Sequence, residues 1–247
     1  MHGHHESWFT RLLNEYLAGP ATALLEAVGQ PPHDATRPWT DWMGTQILVA
    51  LLLVGLALRV RASLSVERPG ALQQVLEGLY GLMRDQARDV IGHNQYGPHV
   101  PFVATLFLFI ATMNLIGIIP AFESPTMFPM VPAGCALATF LYFNFWGVKE
   151  QGAWGYVKHF LGPVWWLSWF LLIVELISLL VRPLSLTIRL YANMFAGEQV
   201  TLNFLKVVPV IPVIFMGLHV FVSLLQAFIF AMLTMVYVGG AVAHEEH

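Results

Sequence analysis

Two apolar runs near the C-terminus place the tightest limit on what this chain can fold into. One extends from Val164 to about Leu205, broken only by Pro183, Gly197 and a handful of polar residues; the other extends from about Val208 to Val242. A perpendicular membrane crossing needs about 20 residues. About 35 residues form a helix of roughly 50 Å. Helices of that length must tilt steeply or bend to stay within an apolar layer of about 30 Å. Pro209 and Pro212 mark the turn between the runs. The chain is 57% hydrophobic and 11% charged, whereas a soluble domain carries about 25% charged residues. It therefore reads as an all-α polytopic membrane protein.

Five crossings are expected, over about 42–60, 101–119, 131–148, 164–205 and 208–242, all within a membrane domain 42–247. Between the first two lies a different kind of segment, about 70–92. Leu72, Val75, Leu76, Leu79, Met83, Ala87 and Val90 recur there at helical spacing, with Gln73, Glu77, Arg84, Asp85 and Arg88 over much of the rest. It is too charged to span, and is expected as an amphipathic helix on the interface, docked on protein, or both. KEQGAWGYVKHFLGP, with Lys149, Lys158 and His159, reads as a polar loop. Residues 1–41 read as an extracytoplasmic tail without the pattern of a signal peptide. Its histidines, His2, His4 and His5, are read as tail and not as a metal site. Cys135 reads as a packed thiol, which excludes an internal disulfide framework. The formal net charge of −3 gives no reason to expect nucleic acid. Arg59, Arg61, Arg68, Arg84 and Arg88 put the loop after the first span in the cytoplasm. The N-terminus is then outside and the C-terminus inside.

Within the fourth span, 164–205, stands an arginine, Arg189. A guanidinium keeps its proton at ordinary pH. Placing one at the centre of a span costs about 2.5–3.5 kcal/mol on insertion scales, so it is a functional-site hypothesis by default. At about 100° per residue, Glu175, Ser178, Arg182, Ser185 and Asn193 fall on the same face as Arg189. Glu198 falls about half a turn away and could join that face only if Gly197 unwound the helix. Two polar openings on two sides of one helix are expected. The last span, 208–242, carries its own row of His219, Ser223, Gln226 and Tyr237, and His219 can exchange protons near neutrality. Asn114 adds a neutral polar group in an earlier span.

PLSLTIRLYANMFAGEQ at 183–199 closely resembles subunit a of the F-type ATP synthase. LLQAFIFAMLTMVY at 224–237, ELISLLVRPLSL at 175–186, MNLIGIIP at 113–120 and the ending EEH are similar to the same family, in the same order. The similarity covers most of the chain from about Trp42 onward. It implies a stator subunit with two offset proton half-channels, facing a rotor ring of c subunits that each carry one membrane carboxylate. Arg189 would be the essential arginine, with Asn193 and Gln226 beside it. Glu198 and His219 would form the half-channel open to the outside, with Asn114 near it. Ser185, Ser178 and Glu175 would belong to the half-channel open to the cytoplasm. The c-ring, the peripheral-stalk b subunits and the rest of the complex are the implied partners, and a bacterial plasma (inner) membrane is the expected home. No GxxxxGK[ST] motif is present, so ATP chemistry is expected on partner subunits. Neither a cofactor nor a bound metal is expected.

The alternative is a proton-coupled secondary transporter, which also suits intramembrane Arg, Glu and His. Such carriers usually show repeated halves, and no internal repeat is visible. A structural anchor would not need charges strung through two long spans. A voltage sensor would need several cations at three-residue spacing.

Overall fold

The computed structural model describes residues 7–27, 37–93, 95–119, 122–161, 168–205 and 211–242, and among these all regular secondary structure is helical. Helices α1 (Trp8–Tyr16), α2 (Ala18–Ala27), α3 (Asp41–Ala62), α4 (Ala71–Ile91), α5 (Val100–Ile116), α6 (Met130–Leu161), α7 (Ser168–Leu205) and α8 (Ile211–Val242) follow in order. Short 3-10 turns at Gly97–His99 and Pro125–Met127 precede α5 and α6. In hydrocarbon no water is available to the backbone, and a helix satisfies its own N–H and C=O groups. Five of the helices are long and apolar enough to cross a membrane, so the chain is a multi-pass membrane protein of the expected class. His2, His4, His5 and Lys206 lie outside the described residues.

The chain forms two compact units. One comprises residues 1–63, 109–128 and 194–224; the other comprises 64–108, 129–193 and 225–247. Helices α5, α7 and α8 each contribute to both.

In the first unit, α3 carries Asp41 in its first turn and Arg59 and Arg61 in its last, charges that complement the helix dipole. The segment before it is not a bare tail. The Ser7 hydroxyl caps α1 by accepting from the Thr10 N–H, and the Ser7 N–H donates to Asp41 Oδ1 at 2.9 Å. The Asn14 amide pairs with both backbone groups of Trp39, at 3.0 and 3.1 Å.

The core of the second unit joins Met83, Ala87 and Ile91 of α4 to Val100, Val103 and Ala104 of α5, Phe143 of α6, and Ala231, Met235 and Val238 of α8. Helix α4 is thus docked on protein through its C-terminal half. Leu72, Val75 and Leu82 stay exposed, an apolar edge that suits the interface. The docked reading holds for the C-terminal half of the helix. Helix α6 runs on to Leu161 through the stretch read from sequence as a loop. Its one break is Gly152, at φ 73° and ψ 155°, a conformation that glycine reaches without a Cβ penalty.

Helices α7 and α8 have 38 and 32 residues, about 57 and 48 Å at helical rise. Pro183 lies inside α7 without ending it. The Thr187 hydroxyl donates to the Pro183 carbonyl at 2.8 Å, one of the local bonds that accompany proline in spanning helices.

Candidate functional site

Helix α7 remains helical across Gly197, so nothing turns Glu198 onto the face of Arg189. Around the helix, at about 100° per residue, Leu186, Leu190 and Met194 form a ridge that is at most 2% exposed. The row of Arg182, Ser185 and Arg189 runs along one border of that ridge, and each of the three is half-buried. Glu198, also half-buried, stands on the opposite border. Beyond the polar row lies a bare apolar face with Val181, Leu184 and Ile188 about half exposed. Only 6% of the most apolar part of α7 is buried, against 56% for α5. Helix α7 therefore offers most of its surface to something outside the chain.

The row belongs largely to the second unit. Arg189 has no hydrogen-bond or ion-pair partner among the described residues, although hydrocarbon is a poor place for an unpaired cation. One turn on, the Asn193 Nδ2 donates to Gln226 Oε1 at 2.8 Å, tying α7 to α8. Gln226 is buried and Asn193 is exposed. Towards the start of α7, an Arg182 Nη lies 3.4 Å from a Glu175 carboxylate oxygen. The same guanidinium sits 5.5 Å from the Tyr237 ring centre and 5.9 Å from that of Phe143. Tyr237, placed on the α8 row by its spacing, thus faces Arg182. Ser178 and Ser185 are half-buried on the row.

Glu198, His219 and Asn114 belong to the first unit. His219 packs against Gly197: a Cβ built there would come within 3.0 Å of His219 Nδ1. The imidazole is buried, and its Nε2 has no hydrogen-bond partner among the described residues. A buried polar atom left in that state calls for a functional or solvent-based explanation. Asn114 is different. It is 0% exposed; its Nδ2 donates to the Ser223 carbonyl at 3.1 Å and its Oδ1 accepts from the Thr126 hydroxyl at 2.7 Å. Ser124 extends this network to Thr126 and to the Met113 carbonyl.

Two participants were not singled out in the sequence. Ser124 and Thr126 complete the Asn114 network. Polar residues in a connector give no periodic signal, so only the pairing with Asn114 reveals them.

The family model described as ATP synthase A chain matches residues 43–239. The chain belongs to this family. ATP synthase subunit a of Koribacter versatilis is 49% identical over 241 residues, covering 97% of this chain and 98% of its own. The subunit a of Solibacter usitatus is 50% identical over 235 residues, covering 95% and 100%. That of Sulfurimonas denitrificans is 40% identical over 216 residues, covering 87% and 95%. The resemblance carried by 183–199 and 224–237 thus extends across nearly the whole chain. Membership in the ATP synthase A chain family favours a proton-channel subunit over a secondary transporter.

Proposed function

We propose that this chain works as the stator subunit of the ATP synthase membrane sector, with two offset proton half-channels that meet a ring of c subunits at Arg189. Membership of the family supports the subunit role. The observation that carries the site is Arg189 itself. It is a permanent cation without an internal counter-ion among the described residues, on the edge of a helix face that this chain leaves uncovered. Its counter-ion is then the membrane carboxylate of each passing c subunit.

A proton enters from outside by way of Glu198 and His219, whose buried Nε2 lacks a partner among the described residues. It neutralises a rotor carboxylate. A neutral carboxyl can turn into lipid, and an ionised one largely cannot. After rotation the proton leaves towards the cytoplasm past Ser185, Ser178 and Glu175. The freed carboxylate is drawn to Arg189, which stabilises the charged form. Asn193 and Gln226 hold α7 and α8 together beside it. Asn114 fixes the wall near the outer route. The N-terminus lies outside and the C-terminus inside, in a bacterial plasma membrane, with b subunits as further partners. The driving force is about 2.3 kcal/mol per charge per 100 mV. ATP chemistry takes place on other subunits.

The test is Arg189→Ala in the complete ATP synthase, reconstituted in vesicles. Proton-driven ATP synthesis should be abolished. Arg189→Lys should restore little of it, because an ammonium is more strongly hydrated and shifts its pKa on burial. Near-normal synthesis by the alanine variant would overturn the assignment.

A further inference from the structure

Arg182 poses a difficulty for the inner half-channel. It stands on the same polar row as Arg189, seven residues earlier, a rise of about 10 Å. If a fixed guanidinium at 189 repels protons, one at 182 should do so too, in the middle of the exit. Its side chain is 28% exposed, so solvent screens it only in part, and a charge acts over about 8–10 Å at ordinary salt. Yet its packing gives it a use. From α7 it reaches the rings of Phe143 on α6 and Tyr237 on α8, contacts that draw their strength from its positive charge. One cation thereby joins three helices.

Glu175 supplies what this arrangement lacks. Its carboxylate lies 3.4 Å from the guanidinium, and its own side chain is 34% exposed. We infer that Glu175 serves chiefly to mask the charge of Arg182, so that the cation stapling three helices does not become a second barrier to protons leaving the rotor. This rests on the inner half-channel reading given above. It assigns Glu175 a different task from a relay that accepts and passes on each proton. Arg182 becomes a positioning residue whose charge must be neutralised locally. A simple structural pair would suffer equally from the loss of either member; a masked charge would not.

The experiment measures potential-driven proton flux per assembled complex, in vesicles carrying the complete ATP synthase. Glu175→Gln should lower flux about tenfold; Arg182→Met, which loses the cation–ring contacts but also the charge that needs masking, should lower the yield of assembled complex while flux per assembled complex stays within about threefold of normal. The double variant should return to the level of Arg182→Met. A double variant as slow as Glu175→Gln overturns the inference, and so does Arg182→Met matching the slowness of Glu175→Gln. If Arg182→Met assembles too poorly to measure, salt decides. High ionic strength on the exit side should recover flux in Glu175→Gln, since an unmasked charge is screened; no recovery overturns the masking role. Arg189→Ala, run in parallel, separates the two levels. If it works normally, the half-channel reading itself fails. If it is inactive while the double variant stays slow, masking alone fails.

Discussion

Asn114 has both ends of its amide engaged by protein, with no exposed surface. That makes it a pin between α5, the connector at Thr126 and the backbone of α8 at Ser223. Asn114→Ala should cost about 1–3 kcal/mol, because it removes two buried hydrogen bonds, one to the Ser223 carbonyl and one from the Thr126 hydroxyl. Thermal unfolding of the purified protein in detergent should show the loss, while proton flux per assembled complex stays close to normal. The sequence marks Asn114 as a polar group in a span, but not what it holds. Its partners come from a connector in which serine and threonine are ordinary. Arg189 is legible for the opposite reason: a charge inside an apolar run stands out whatever surrounds it.

On a single helix, the regular turn of α7 does most of the positioning. The common face of Arg182, Ser185, Arg189 and Asn193 follows from spacing alone, and the separation of Glu198 follows from the same count. Spacing does not reveal that a buried ridge lies between them, or that Gly197 makes room for His219. Gly197→Leu should push the imidazole aside, since even a Cβ would lie 3.0 Å from its Nδ1. Flux should then lose its dependence on external pH, with the Asn193–Gln226 bond left intact; Gly197→Ala should do so more weakly. Retention of normal external-pH dependence in the leucine variant would argue against the Glu198–His219 route. Helix α6 teaches a different lesson. The stretch from Lys149 to Leu161 is polar enough to read as a loop, but polarity at the end of a span reports contact with water, not loss of helix. Gly152 alone breaks it, by its positive φ.

Across the whole molecule, family resemblance reaches the membrane helices more readily than the N-terminal segment. The family model begins at residue 43, whereas α1 is already folded from Trp8. What docks α1 is a set of hydrogen bonds from Ser7 and Asn14, a signal too local for hydropathy to register. Asn14→Ala should release the Trp39 backbone and speed limited proteolysis of the N-terminal segment in the purified complex, with little change in flux per complex. One feature of α7 bears on the efficiency of the whole machine. The two polar borders are kept apart by Leu186, Leu190 and Met194, three oily side chains with no charge among them. On the proposed reading, dry packing adds to the arginine's charge as insulation against a short circuit, and Leu190→Ser should raise the uncoupled proton leak of the complete complex in vesicles while Arg189 stays in place.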